Sequence, residues 1–225
     1  MNMWLDISTY CNAACPMCHR NKNNGLQDQD WLPLVQWDIN QFKKAFPLTT
    51  LHAINEFEFC GTWGDPIMNK DILSMVEYIT TNSEASVLIH TNGSIRDSSW
   101  WWDLGLAGGK QLYVVFAIDG STQEMHNKYR RKTNLEKILQ NMHTLSSTEA
   151  KARVRTIVFK HNENHIEEIT NLAKEYGAYK HSWFSTDRST FKQGSIFKFL
   201  NEYDEDEYLE VSLSQASGEI NFDRM

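Results

Sequence analysis

The sequence predicts an α/β domain with a mainly parallel sheet. Three observations carry that expectation. Short apolar runs alternate with helical patterns along most of the 225 residues. Parallel neighbours need right-handed crossovers, and the intervening helices supply them. Four loops rich in polar residues or glycine, at 9–20, 61–69, 91–94 and 119–131, each follow a strand-like run, where such folds place their sites.

The elements follow in order. The run at 3–8 reads as a strand leading into a cysteine-rich loop. The segment 37–46 reads as a modest helix stopped by Pro47. A short buried strand is predicted over 57–60. Ile72, Met75, Val76 and Ile79 then fall at helical spacing within 71–82. Residues 86–90 form the next strand, closed by Asn92-Gly93. A helix over 98–106 takes Ser98 as its N-cap, with Gly105 near its end. The clearest strand is 111–118, closed by Asp119-Gly120. Leu135, Ile138, Leu139, Met142 and Leu145 share one helical face, with Asn134 as N-cap. A strand over 152–160 follows. The helix over 165–177 ends at Gly177, and a sixth strand spans 179–185. Residues 191–210 are less regular, and their acidic run at 204–207 reads as a solvated face or loop.

Composition narrows the function classes. Hydrophobic residues make up 41% and charged residues 23%, as in ordinary globular proteins. A formal net charge of -7 argues against bulk binding to nucleic acid or an anionic membrane. Apolar runs are too short to span a bilayer, and the N-terminal stretch does not resemble a secretory signal. Clustered cysteines outside a spaced disulfide framework suggest a reducing compartment, so the cytoplasm is the expected location.

Three of the four cysteines lie within "YCNAACPMCHR" at residues 10–20. Cys11, Cys15 and Cys18 have the spacing C-x3-C-x2-C. Thiolates suit iron–sulfur clusters and zinc. A structural zinc site usually has four protein ligands. Three thiolates on a four-iron cubane leave one iron free for a substrate or cofactor. A zinc site completed by His19 or Cys60 is the competing reading. His19 is adjacent to Cys18, which makes joint coordination awkward. Cys60 reads more simply as a buried small residue.

This motif after an N-terminal strand resembles the radical S-adenosylmethionine (radical SAM) enzymes. The later loops resemble that family in the same order. Gly64-Asp65-Pro66, within "FEFCGTWGDPIMN", matches the end of the family's Gly-Gly-Glu-Pro motif, with Asp in place of Glu. "HTNGS" at 90–94 resembles the Thr-Asn-Gly that ends the third strand. "FAIDGS" at 116–121 resembles the fourth-strand Ser-x-Asp-Gly pattern, with Ala117 in place of Ser. "HNKYRR" at 126–131 lies where related enzymes carry a His and an Arg. "VFKHN" at 158–162 ends where relatives have an Asn. Met17 stands where an aromatic residue is usual.

The resemblance implies a partial (β/α)6 TIM-like barrel. It implies a [4Fe–4S] cluster on Cys11, Cys15 and Cys18, with S-adenosylmethionine (SAM) bound through the open iron. Reductive cleavage of SAM then gives a 5′-deoxyadenosyl radical that abstracts hydrogen from substrate. Gly61, Gly64, Asp65, Thr91, Asp119, Arg130 and Asn162 become the expected cofactor-binding residues. Arg130 is preferred over Arg131 by alignment, while His126 reads equally as a surface or capping residue. The expected partners are a peptide, protein or small-molecule substrate and an external one-electron donor such as flavodoxin or ferredoxin. The resemblance extends to radical SAM proteins of phage and marine microbial sequences, which names no substrate. The expected organisation is a core over 1–190 and a C-terminal extension over 191–225, with truncation before a cysteine-rich domain a live possibility. The alternative is a non-catalytic metal- or SAM-binding α/β module.

Two further expectations come from position. Trp100, Trp101 and Trp102 cannot share one helical face, so they read as packing residues. His181, Trp183 and Asp187, near the end of the sixth strand, are expected to line the substrate side.

Overall fold

The computed structural model describes residues 1–22, 26–185, 194–201, 203, 205–213 and 217–222. Strands β1 (Asn2–Leu5), β2 (Glu56–Phe59), β3 (Ser86–Thr91), β4 (Leu112–Ala117), β5 (Lys151–Val158) and β6 (Lys180–Ser185) lie side by side in chain order, all parallel. The connections between them carry helices α1 (Ile39–Ala45), α2 (Leu48–Leu51), α3 (Ile72–Asn82), α4 (Ser98–Gly108), α5 (Gln123–Asn127), α6 (Leu135–Ser146) and α7 (Ile166–Glu175). This is the architecture of a partial TIM-like barrel, with six parallel strands as the sequence predicts.

Local chemistry sets the helix ends. Asp38 and Gln41 form a reciprocal capping box at the start of α1. Asn134 caps α6 by accepting from Lys137 N. Gly177, at φ +85°, ends α7 in the left-handed region that glycine enters without a Cβ penalty. The α4 cap differs from the sequence reading. Asp97, not Ser98, accepts from Trp100 N, because a carboxylate one residue earlier reaches the free amide of the first turn.

One apolar core joins the helices to a single face of the sheet. Phe59, Ile89, Val114 and Ala152 form one register row across β2 to β5, all buried. The α6 stripe of Leu135, Ile138, Leu139, Met142 and Leu145 packs into the same core. Burying each such side chain contributes roughly 1.5–3 kcal/mol. Trp101 is fully buried, Trp100 is half-buried and Trp102 is exposed, so the three tryptophans do point different ways.

The opposite face is polar. Its rows read Glu58, Leu88, Tyr113, Lys151, then His90, Val115, Arg153, Lys180, then Ala117, Arg155, Ser182. This alternation of apolar and polar residues gives the strands one helix-covered face and one open inner face.

The C-terminal segment is more ordered than its sequence suggests. Strands β7 (Ile196–Leu200) and β8 (Asp206–Glu210) form an antiparallel hairpin, and β9 (Gly218–Asn221) adds antiparallel to the β6 edge. Phe199, Leu209 and Val211 bury against Tyr129 and Phe159 in a second, smaller core. The acidic run hid β8, because Asp206, Glu207 and Tyr208 are all exposed and only Leu209 is buried within the strand. No helix among the described residues is long and apolar enough to cross a membrane.

Candidate functional site

The loops at the C-terminal ends of β1 to β5 meet, and buried polar side chains tie them together. Asp65 is the central tie. It is 3% exposed. Its Oδ1 accepts from Thr91 Oγ1 at 2.8 Å and from Ile67 N at 3.2 Å. Its Oδ2 accepts from Asn92 N at 2.8 Å and Asn92 Nδ2 at 2.5 Å. Its backbone N–H donates to Tyr10 O at 2.7 Å. One residue therefore joins the cysteine loop, the loop after β2 and the loop after β3. Burial raises the Asp65 pKa, while these hydrogen bonds oppose that shift.

Gly64 allows the close approach. A Cβ there would stand 2.2 Å from Ser8 O and 2.8 Å from the Thr9 carbonyl carbon, both backbone atoms. Gly61 is less restrictive, its nearest contact being Gly64 O at 3.2 Å. The Thr91 hydroxyl is also engaged on both sides, donating to Asp65 and accepting from Gly93 N at 2.9 Å.

Asp119 organises the other half. It is fully buried. Oδ1 accepts from Ile157 N at 2.6 Å, and Oδ2 lies 2.5 Å from Arg130 Nε. Its carbonyl accepts from Asn162 Nδ2 at 2.9 Å. Asn162 is itself buried and fully engaged, donating also to Ile157 O and accepting from Phe159 N. Burial raises the Asp119 pKa, and the Arg130 cation counters it; the same pairing raises the Arg130 pKa against desolvation.

His126 is not a surface residue. Asp119 N donates to its Nδ1 at 3.2 Å, and Nε2 lies 3.0 Å from Thr133 Oγ1. An accepting Nδ1 fixes the Nε2–H tautomer. Burial, then the Arg130 cation, lowers its pKa to about 3, so the ring is neutral.

Cys11, Cys15 and Cys18 lie half-buried on the loop after β1, and none is in a disulfide. Cys18 N donates to Cys15 O at 3.2 Å, closing a turn between two of the thiols. Cys11 Sγ accepts from Ala13 N at 3.4 Å and lies 4.0 Å from Asn92 Nδ2. Cys15 Sγ lies 3.9 Å from Arg130 Nη1. Burial raises the Cys11 and Cys15 pKa values, and Arg130 opposes the shift at Cys15. Thiols held this way need a cation to deprotonate, which a bound metal provides. Among the described residues, no three His, Cys, Asp or Glu side chains are grouped to hold one metal ion. A cubane does not require that convergence, because each thiolate binds a different iron. The donor set fits a cluster with three protein thiolates. Cys60 is half-buried just beyond β2. Burial, then the Glu58 charge, raises its pKa to about 11.

The sequence reading gave Arg20 no role, set Arg131 second to Arg130, and did not foresee the ties that these residues and Asn12 make. Arg20, 3% exposed, donates to the carbonyls of Thr9 and Trp63 and makes a two-point contact with Asp28. Arg131 Nε donates to Ala14 O at 2.8 Å, and Ala14 N donates back to Arg131 O at 3.1 Å. Asn12 donates to Ser94 Oγ and accepts from Asn92 Nδ2, both at 2.9 Å. Their only sequence signal was position within the quoted motifs. Met17 adopts φ +62° and packs with Cys15 on the second core. A cavity of about 650 Å³ lies against the β7–β8 hairpin, lined by Lys128, Arg131, Phe199 and Tyr208 among others, and includes none of the three cysteines.

The expectation for the end of β6 is corrected. His181 is fully buried, its ring nitrogens 2.9 Å from Thr156 Oγ1 and 2.8 Å from Thr170 Oγ1. Trp183 shares its face, and its ring packs over Gly218 of β9. Period-two alternation turns both away from the inner face. Asp187 lies outside the described residues.

Comparison with known proteins agrees with this arrangement. The model of the Radical SAM superfamily matches residues 5–173. The AdoMet-dependent heme synthase of Methanosarcina barkeri is 29% identical over 186 residues, covering 80% of this chain and 48% of that protein. The cysteine-type anaerobic sulfatase-maturating enzyme of Clostridium novyi is 27% identical, covering 75% and 46%. The chain thus spans about half the length of these curated relatives. Among solved structures, anSMEcpe with bound AdoMet superposes at a TM-score of 0.64 with 15% identity, covering 86% of this chain and 53% of that one. Streptococcus suis SuiB bound to the precursor peptide SuiA gives 0.63 and 14%, covering 81% and 38%. The chain belongs to the radical SAM superfamily, whose enzymes use a [4Fe–4S] cluster and SAM.

Proposed function

We propose that this chain is the catalytic core of a radical SAM enzyme acting on a peptide or protein. The observation that carries the reading is three free cysteines on one loop, held against the Asp65 and Asp119 networks at the ends of parallel strands. Cys11, Cys15 and Cys18 would hold the cluster. The cluster and SAM together supply a carbon radical able to abstract hydrogen.

The chain's own residues bind and orient. Gly61 and Gly64 leave backbone room beside the cysteine loop. Asp65, through Thr91 and Asn92, fixes the loop edges against which SAM would lie. Asp119, Arg130 and Asn162 hold the opposite wall. Arg130 sets a permanent positive charge near Cys15, which favours the thiolate. In this reading Thr91, Asp119 and Asn162 support the cofactor as much as touch it, since their polar atoms already have partners.

A peptide substrate is supported by the relatives called maturases and by the peptide-bound SuiB structure. An external flavodoxin- or ferredoxin-like donor supplies the electron. Free clustered thiols favour the cytoplasm. Electron paramagnetic resonance of the anaerobically reconstituted, reduced protein tests the open iron. Adding SAM should change the cluster signal, since a new ligand alters the iron it binds. An unchanged signal contradicts the reading.

A further inference from the structure

The inner face of the sheet carries three cations on one strand. Lys151, Arg153 and Arg155 alternate along β5, all on the side away from the helices. Like charges two residues apart repel, and carboxylate partners would normally offset that. Among the described residues none of the three has a carboxylate partner within 4 Å. Aromatic groups stand there instead. Lys151 Nζ lies 3.1 Å from Tyr113 Oη, and Arg153 Nε meets the Tyr179 hydroxyl. Arg153 lies over the Tyr113 ring at 4.7 Å.

Arg155 differs from the other two. It is exposed, its side chain makes no hydrogen bond among the described residues, and its guanidinium rests on the Phe184 ring at 4.8 Å. A guanidinium supported on an aromatic plane keeps its N–H fork free for a ligand. Its place in the sheet is equally specific. Arg155 pairs with Ala117, two residues before Asp119, and Ile118 N donates to Arg155 O at 3.2 Å. It therefore sits one step below the candidate cofactor site, on the open face. Across the sheet, His90 lies between this cationic strand and Glu58, whose Oε1 is 3.0 Å from His90 Nε2. Burial, then Arg155 and Arg153, lowers the His90 pKa to about 4, so the ring does not neutralise a carboxylate there.

We infer that Arg155 is a specificity residue that receives a carboxylate of the substrate on the inner face of the barrel. The inference rests on the radical SAM reading for the position of the substrate. Its source is an acidic peptide side chain or a free amino acid.

Calorimetric titration of the full chain, anaerobically reconstituted with SAM and without reductant, tests it. The probes are acetyl-Gly-Ala-Glu-Ala-Gly-amide, free glutamate, and the glutamine counterpart of each. At least one glutamate probe should bind, and at least about tenfold tighter than its counterpart, as a charge-assisted pair requires. Binding by the peptide alone identifies a peptide source, and binding by free glutamate alone a small acid. Arg155→Gln should abolish the preference, whereas Arg155→Lys should keep part of it. Equal binding of the paired probes, no binding by any probe, or a preference retained in Arg155→Gln would overturn the inference. Failure of SAM cleavage is read in a separate assay with reductant, so the two readings fail independently.

Discussion

Arg130 Nε lies 2.5 Å from Asp119 Oδ2, and the same guanidinium reaches to 3.9 Å from Cys15 Sγ. The pair joins the wall after β4 to the cysteine loop. Asp119 is fully buried and the Arg130 side chain only 17% exposed, so neither charge has water as a ready substitute. Removing one partner of a buried pair typically costs about 3–5 kcal/mol. Arg130→Ala and Asp119→Asn should each lower stability on that scale, read by urea unfolding. The double variant should lose less than the sum, because both changes break the same contact.

Asp65 predicts a different pattern. Asp65→Ala strands the amides of Ile67 and Asn92 and the Thr91 hydroxyl, at about 1–3 kcal/mol for each group left unsatisfied. Because these groups frame the cysteine loop, iron bound per chain should fall along with the unfolding midpoint. Full iron content in a destabilised Asp65→Ala protein would mean the tie serves folding alone.

Gly64→Ala tests close approach. The added methyl meets two backbone atoms that no rotamer change can move, Ser8 O and the Thr9 carbonyl carbon. The variant should lose the cluster even where it stays soluble, measured by iron content after anaerobic reconstitution. Gly61→Ala, facing only a 3.2 Å contact, should be the milder change.

Buried neutral histidines set the acid response. His126 and His181 are both 0% exposed, with pKa values lowered by burial to about 3 and about 4 from a usual 6.5. Above about pH 6.5 neither state takes up the proton and their contribution is fully present. Below it the unfolded chain binds more protons, so stability falls with falling pH, by up to about 1.4 kcal/mol per unit per histidine, until the folded values are reached. Urea midpoints should drop between pH 7 and pH 5, and His181→Gln should flatten that drop.

The parallel sheet was legible in the sequence because central strands such as β3 and β4 are short, mostly apolar runs and the longer crossover helices carry an apolar stripe. The three cysteines were legible because their spacing is local. What resisted reading was nonlocal. The burial of His126 depends on Thr133 and the Asp119 turn meeting in space. Arg20 acts through carbonyls of Thr9 and Trp63, which no residue type signals. His181 was misplaced because one step of strand parity decides between the two faces. Strands β7 to β9 were missed because each is only four or five residues long and pairs at an edge or in a hairpin, with at most one fully buried residue to carry an apolar signal.

The central claim is that Cys11, Cys15 and Cys18 hold a cluster that cleaves SAM. Formation of 5′-deoxyadenosine by anaerobically reconstituted, reduced protein measures it most directly. The wild-type chain should bind about four irons and release 5′-deoxyadenosine from SAM. Cys60→Ala should match it, and the Cys11→Ala, Cys15→Ala, Cys18→Ala triple variant should do neither. Iron-replete wild-type protein that leaves SAM intact under a strong reductant, or a triple variant that still cleaves it, would contradict the account.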